Sequence, residues 1–407
     1  MTSPMNSQTL MDLAETYGSH NYKPLPVVID RAQGVWMWDV EGRKYMDMLS
    51  AYSAVSTGHC HPRLVKVLQD QAAKLCVTSR AFHNAEIGPF MKELCDLTGM
   101  ARVLPMNTGA EAVETAVKAA RKWGYVKKGI PMGEAEILVC SGNFHGRTTT
   151  IVSFSSDELY KQYFAPFTPG FKILPYGDAG AMAAAVTEKT CAILVEPVQG
   201  EAGVIVPPDG YLKALRKLCD EKNVLLMLDE IQTGWGRCGK MFCYQWEGIQ
   251  PDVLILGKTL GGGILPISAC VTNDEVLGLF VPGEHGSTFG GNPLACACAR
   301  EAMRVIVEED LPGRSERNGA KLKAALLAID NPQIKDVRGK GLLLAVEFAD
   351  GPKTARQYCQ DLMAEGILAK ETHVTSVRFA PPLVISDEEL DWAISKITKV
   401  FSAAKAA

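Results

Sequence analysis

Val224-Leu225-Leu226-Met227-Leu228-Asp229-Glu230 is an unbroken apolar run that ends in two acids. A run of this length without polar alternation reads as a strand buried on both faces, which belongs in a parallel sheet covered by helices. Runs of the same kind recur at Ile137 to Cys140, Ile173-Leu174, Ala192 to Val195 and Val253 to Leu256, separated by loops or helical spans. The alternation predicts an α/β fold. Ala110 to Lys122 reads as a helix, with Ala112, Val113, Ala116, Val117 and Ala120 at helical spacing. Upstream, Val35 to Asp39 and Tyr45 to Leu49 flank the Glu41-Gly42 turn and predict a short hairpin. Beyond about residue 291 the character changes to a helical Ala295 to Glu309 followed by strands at Leu342 to Phe348 and Val377 to Phe379, a smaller α+β unit. A chain of 407 residues is too long for one ordinary core, which fits a large domain beside a smaller one.

Hydrophobic residues make up 47% and charged residues 22%, the profile of a globular enzyme. The formal charge is −4 and there is no long basic run, so neither nucleic acid nor an anionic membrane is an expected partner. The 12 cysteines are irregularly spaced and include no Cys-x-x-Cys pair, which fits buried thiols in a reducing compartment. Cys238 and Cys243 are expected as two free thiols although their spacing invites a disulfide. No stretch approaches a membrane-spanning length. The opening segment carries Asp12 and Glu15 but no Lys or Arg before Lys23, unlike a targeting peptide. The cytoplasm is therefore the expected location.

The chemistry gathers where strands end. Asp229 closes one apolar run, and Lys258 follows another inside Ile255-Leu256-Gly257-Lys258-Thr259-Leu260-Gly261-Gly262-Gly263. A lysine framed by apolar and glycine residues, with an acid at a strand's end, is what pyridoxal phosphate (PLP) requires. The ring withdraws electrons only while its nitrogen stays protonated, so a carboxylate must sit beside that nitrogen. At about 4 Å that pairing is worth on the order of 4 kcal/mol in an intermediate dielectric. A desolvated lysine loses its proton more easily and condenses with the aldehyde. Each residue also has an ordinary reading, a solvated loop lysine and a capping acid. A nucleotide P-loop is excluded by spacing, because its first glycine would fall at Asp252.

Three further clusters accompany the pair. Asn107-Thr108-Gly109-Ala110 leads into a helix, where free N–H groups and the dipole suit a phosphate, although Asn and Thr also serve as ordinary caps. In Phe144-His145-Gly146-Arg147, Phe144 could lie on a cofactor ring and Arg147 could pair with a carboxylate. Val195-Glu196-Pro197-Val198-Gln199-Gly200-Glu201 is another strand end carrying two acids into a loop. His59-Cys60-His61 reads as a turn before Pro62 rather than a metal site, since neighbouring side chains diverge and no further Cys/His cluster is evident. Trp235 and Arg237 read as supports for the loop after Asp229.

Taken together, Asn107-Thr108-Gly109, Phe144 to Arg147, Glu196 to Glu201, Leu228 to Arg237, Gly257-Lys258 and Ser287-Thr288-Phe289-Gly290-Gly291-Asn292-Pro293 occur in the order seen in class III PLP-dependent aminotransferases. The resemblance covers nearly the whole chain. Asn21-Tyr22 before Pro24 to Val27, and Tyr52 to Val55 before Gly58 to Pro62, look most like the ornithine branch of that class. His145 stands where animal-type members of that branch tend to carry Trp, as in the acetylornithine branch, which lacks the tyrosine pair.

The resemblance implies fold type I: a large PLP domain on a mainly parallel sheet of the seven-stranded type, with a smaller α+β C-terminal domain. The expected division is 1–47 packing with the small domain and the dimer partner, 48–290 for the cofactor, and 291–407. It also implies a homodimer with shared active sites. By motif, Lys258 would hold PLP covalently and Asp229 its ring nitrogen. Gln232 would bond the phenolic oxygen, and Phe144 and Ile231 would sandwich the ring. Gly109 and Ala110 would bind the phosphate, with Thr288 arriving from the neighbouring subunit. Arg147 would anchor the α-carboxylate of ornithine, with Tyr22 and Tyr52 at its α-amino end. Arg378, masked by Glu201, would open for 2-oxoglutarate in the second half of a ping-pong transamination between small amino and 2-oxo acids. The alternatives are an acetylornithine, 4-aminobutyrate or other ω-amine aminotransferase, or a PLP-dependent aminomutase needing no 2-oxoglutarate. A non-enzymatic binding protein is disfavoured by intact Lys258, Asp229 and Arg147.

Overall fold

In the computed structural model, which describes residues 5–402, Leu225–Asp229 lies at the centre of a seven-stranded sheet. Three strands precede that sheet in the chain: β1 (Ile29–Gln33), β2 (Trp36–Asp39) and β3 (Lys44–Asp47). The large sheet contains β4 (Arg102–Met106), β5 (Glu136–Cys140), β6 (Phe171–Leu174), β7 (Thr190–Val195), β8 (Leu225–Asp229), β9 (Val253–Leu256) and β10 (Ser268–Thr272). Its spatial order is β4-β10-β9-β8-β7-β5-β6. Only β10 runs antiparallel to its neighbours.

Every residue of β7, β8, β9 and β10 is buried. Successive side chains of a strand point to opposite faces, and the core divides accordingly. Ile137, Val139, Leu194, Met227 and Ile255 share one cluster with Ala112, Val113, Ala116 and Val117 of the helix Gly109–Val126. Leu138, Ile193, Leu226, Leu228 and Leu254 share the other with Leu212 and Leu215 of the helix Tyr211–Lys222. Each such aliphatic side chain contributes about 1.5–3 kcal/mol on burial, so the sheet is a rigid base for what projects from its edge.

The apolar runs named above are all strands, while β4 and β10 lack that pattern. β4 contains Pro105 and is tolerated because it is an edge strand, where a missing N–H costs no ladder bond. β10 is built of Ser268, Ala269, Cys270, Val271 and Thr272, too polar to read as a core strand, yet it is fully buried. Thr272 donates its hydroxyl proton to the Asp252 carbonyl at 2.7 Å.

The predicted hairpin is β2 and β3, paired with Trp36 opposite Met46 around Gly42, whose φ of +84° suits glycine. The C-terminal part contributes β11 (Ile334–Lys340), β12 (Leu343–Phe348), β13 (Ile367–Leu368), β14 (Lys370–Thr372) and β15 (Ser376–Phe379). Four of these form an antiparallel sheet in the order β11-β12-β15-β14. β13 instead runs parallel beside β3, with Ile367 opposite Met46. The helices Pro293–Glu308, Leu311–Leu327, Ala355–Ala364 and Asp387–Ser402 complete this end of the chain.

All twelve cysteines are free, Cys238 and Cys243 among the buried ones. Among the described residues no helix is long and apolar enough to cross a membrane. His59 and His61 are held by different carboxylates, Asp47 at 2.8 Å and Glu309 at 3.0 Å. Arg237 is fully buried and donates to the carbonyls of Leu342 and Pro381 and to the Ser56 hydroxyl.

Candidate active site

The segments after β5, β7, β8 and β9 converge on one cavity of about 200 Å³, lined by Gly109, Ala110, Phe144, His145, Gly146, Glu196, Glu201, Asp229, Ile231, Gln232, Thr233 and Lys258. A crevice at the carboxyl ends of parallel strands is where α/β sheets place ligands. Asp229 is buried at the tip of β8. One carboxylate oxygen accepts the Ile231 N–H at 3.0 Å and the other accepts from His145 Nδ1 at 2.7 Å. That partner assigns the Nδ1 proton. His145 Nε2 is buried without a partner. Burial opposes the charged imidazole, but the bond and charge of Asp229 outweigh it and hold the His145 pKa above its ordinary value.

Lys258 follows β9 with φ +45°, a left-handed conformation that a residue with a side chain enters at a cost of about 1–2 kcal/mol. Such strain persists where the surroundings dictate the conformation, commonly at functional sites. Its amine has no hydrogen bond or ion pair among the described residues. Burial lowers its pKa against the opposing charges of Glu201 and Asp229, so it gives up its proton below the pH an exposed lysine requires. Glu196, which was legible only as a strand-end acid, is buried on the same wall and accepts the Phe144 N–H at 2.9 Å. Burial pushes its carboxyl up to about 7.

At the helix start the capping reading holds. Thr108 is the cap: its hydroxyl accepts the Glu111 N–H, while Glu111 accepts the N–H groups of Thr108 and Asn107. The next two N–H groups, of Gly109 and Ala110, have no acceptor among the described residues and border the cavity. A Cβ on Gly109 would stand 2.9 Å from Ile231 Cδ1, so the cradle admits only glycine there without displacement. Unpartnered N–H groups at a helix start, an unpaired lysine amine, a buried carboxylate and flanking Phe144 and Ile231 fit the phosphate, aldehyde, ring nitrogen and ring faces of PLP.

The other end of the cavity holds an ion pair between a buried arginine and a half-buried carboxylate. Arg378, 1% exposed, donates from Nη1 to Glu201 at 2.7 Å and lies over the Tyr52 ring at 5.0 Å. Burial works against the Glu201 carboxylate, but Arg378 and Lys258 hold its pKa below the ordinary value. Gln232 bridges this end, donating to Glu201 and to the Tyr52 carbonyl, both at 3.3 Å. A Cβ on Gly200 would overlap the Gln232 amide oxygen, at 1.5 Å.

Tyr52 itself is aimed by an unusual piece of backbone. Ser50, Ala51, Tyr52 and Ser53 have φ values of 51°, 46°, 60° and 72°, a left-handed turn with no glycine in it. Asp47 holds its start by accepting the N–H groups of Leu49 and Ser50, both at 2.8 Å, and the Ser50 hydroxyl donates to Ala380 at 2.7 Å.

Arg147 is exposed and has no carboxylate partner among the described residues. Tyr22 is 73% exposed and shares with Tyr52 a second hollow of about 450 Å³, apart from Lys258 and Asp229. Thr288 is exposed and lines no part of the first cavity. The structure thus brings together Gly109, Ala110, Phe144, Asp229, Ile231, Gln232, Lys258 and Glu201, with Arg378 and Tyr52 behind Glu201. It leaves Tyr22, Arg147 and Thr288 outside that cavity in one chain.

The model of the class-III aminotransferases matches residues 17–401. The chain is similar to the ornithine aminotransferase of Halalkalibacterium halodurans, 57% identical over 96% of this chain and 98% of that one. It superposes on the ornithine aminotransferase of Toxoplasma gondii, a structure with partial occupancy of PLP at the active site, with a TM-score of 0.97 and 44% identity over 98% of this chain and 95% of that one. The acetylornithine aminotransferase of Elizabethkingia anophelis superposes with a TM-score of 0.89 and 46% identity over 98% and 99%.

Proposed function

Because this chain belongs to the class-III aminotransferase family, we propose how its site carries out the transfer of the δ-amino group of L-ornithine to 2-oxoglutarate, yielding L-glutamate 5-semialdehyde and L-glutamate in a ping-pong cycle. Bound PLP supplies the electron sink and carries the amino group between the two substrates. Asp229 keeps the ring nitrogen protonated, and Gly109 and Ala110 hold the phosphate. Phe144 and Ile231 confine the ring, Gln232 reaches its oxygen, and Thr288 completes the phosphate site from a second copy of the chain. Lys258 Nζ, whose burial eases loss of its proton, would take the proton from the substrate's δ-carbon and deliver it to the cofactor's carbon on the other side of the bond.

The observation that carries the substrate assignment is the contrast between two arginines: Arg378 is buried and paired with Glu201 at 2.7 Å, whereas Arg147 has no carboxylate partner. A substrate whose only carboxylate lies far from the reacting amine uses Arg147 and leaves the Glu201–Arg378 pair closed. Tyr22 and Tyr52 border the α-amino end. A 2-oxo diacid opens the pair, placing its α-carboxylate on Arg378 and its distal carboxylate on Arg147.

The homodimer is supported by exposed Phe82 and Phe289, the latter beside Thr288. The division into 1–47, 48–290 and 291–407 is supported by the β3–β13 pairing at one boundary and by the confinement of the large sheet to residues 102–272. Residues 1–4 and 403–407 of that division lie outside those described. Twelve free thiols support the cytoplasm, and the net charge of −4 supports a chain without nucleic-acid or membrane partners.

A single half-reaction tests the substrate. Holoenzyme mixed separately with ornithine, acetylornithine and 4-aminobutyrate is expected to lose its visible cofactor absorbance and release semialdehyde fastest with ornithine; faster conversion of acetylornithine would overturn the assignment. Glu201→Gln, which keeps the shape but removes the charge, is expected to unmask Arg378. The half-reaction with glutamate should then accelerate relative to ornithine by roughly 10-fold, the scale of breaking one partly buried charge pair. An unchanged ratio would show that Glu201 does not gate the site.

A further inference from the structure

Arg147 carries an uncompensated charge at an exposed position, and something other than an ion pair must hold it. An arginine side chain has about 2 kcal/mol of rotamer entropy to lose on being fixed. The element opposite is the short turn Glu158–Lys161, whose Tyr160 ring lies under the guanidinium at 4.0 Å. The same ring meets Phe144 edge to face, with centroids 6.1 Å apart and planes at 78°. Phe144 is in turn fixed through its N–H by Glu196. Asp157 caps the turn by accepting the Leu159 N–H at 2.9 Å, and the Ser156 hydroxyl accepts the Gly142 N–H at 2.7 Å, tying it to the Phe144 segment. Tyr160, Phe144 and Glu201 border a common hollow of about 410 Å³ that adjoins the cofactor cavity.

An aromatic face restrains a guanidinium without neutralising it, whereas a carboxylate, as Glu201 does for Arg378, would compete with the ligand. We infer that Tyr160 is a positioning residue for substrate recognition: its ring presents Arg147 to the carboxylate that both substrates carry away from the reacting carbon. The inference rests on the reading of Arg147 as that anchor. It makes the Phe144–Tyr160–Arg147 stack one unit, spanning the distance from the cofactor ring to the far end of the substrate.

The test uses holoenzyme carrying Tyr160→Leu or Tyr160→Phe, with Tyr160→Met in reserve should the leucine variant not fold. Tyr160→Leu is expected to raise KM for both ornithine and 2-oxoglutarate by roughly 3- to 30-fold, the range of a cation–π contact, with kcat within about threefold. Tyr160→Phe should restore most of that loss. Glutarate, a dicarboxylate that cannot react, should bind the leucine variant more weakly by a similar factor when titrated against the cofactor absorbance. Unchanged KM and glutarate binding, or a fall confined to kcat, would overturn the inference. Arg147→Leu separates the two failures. If it raises both KM values while Tyr160→Leu does not, only the role of Tyr160 is lost; if neither variant changes KM, the assignment of Arg147 falls as well.

Discussion

Lys258→Ala is expected to lower kcat by about 10⁴-fold, because on the proposed function it removes at once the group that bonds the cofactor and the base that moves the substrate proton. The amine is unpaired in a wall of buried groups, and its pKa is depressed by burial. In the intact protein the free-base fraction therefore rises through a lower pH range than for an exposed lysine, and the rate of cofactor uptake by apoprotein should rise with pH over that range. Borohydride treatment followed by peptide mass analysis should fix the cofactor to Lys258 in the parent and to no residue in the variant. A Lys258→Ala protein that keeps more than about a tenth of the parent turnover would remove the lysine from the mechanism.

Asp229→Ala is expected to cost about 10³-fold in kcat. On the proposed function, a carboxylate about 4 Å from the ring nitrogen would contribute on the order of 4 kcal/mol in an intermediate dielectric, and each 1.4 kcal/mol is a factor of ten. Asp229 is rigidly presented, with one oxygen on the Ile231 N–H and the other on His145. Asp229→Glu should recover part of the loss, since it keeps the charge but displaces it. A second readout follows from the same bond. With Asp229 gone, burial opposes the charged imidazole and only the charge of Glu196 still favours it, so the His145 pKa should fall, visible in a proton NMR titration of the imidazole. Retained turnover in Asp229→Ala, together with an unmoved His145 titration, would refute the role given to this carboxylate.

Asp229 and Lys258 were legible in the sequence for the same physical reason that the large sheet was. A strand buried on both faces must be apolar throughout, so the first charged residue beyond it stands out and marks the edge where a crevice forms. Glu196 follows Val195 in the same way, and the signal was present, but a strand-end acid does not reveal what it bonds. The pairing of His145 with Asp229 crosses between two strands and leaves no periodic trace. Nor does the left-handed turn Ser50–Ser53, since none of its four residues is glycine and its shape is imposed by Asp47 and Ala380. Tyr160 escaped notice because its turn is only four residues long and its contacts are ring faces. β4 and β10 were hidden by Pro105 and by hydroxyl-bearing residues that are satisfied only in the folded sheet. The Glu201–Arg378 pair, implied by family resemblance alone, stands at 2.7 Å.

The pairing of β13 with β3 sets an order of events during synthesis of the chain. All seven strands of the large sheet, and with them Asp229 and Lys258, lie within residues 102–272 and emerge together. β3, made long before, meets its parallel neighbour only when Ile367-Leu368 has been added, and Ser50 waits for Ala380 to fix the turn that aims Tyr52. Contacts of such long sequence separation form late, because the loop they close must be ordered before any gain is realised. A nascent chain therefore carries Asp229 and Lys258 well before it can fix the turn that holds Tyr52, and on the proposed function its chemistry would precede its choice of substrate.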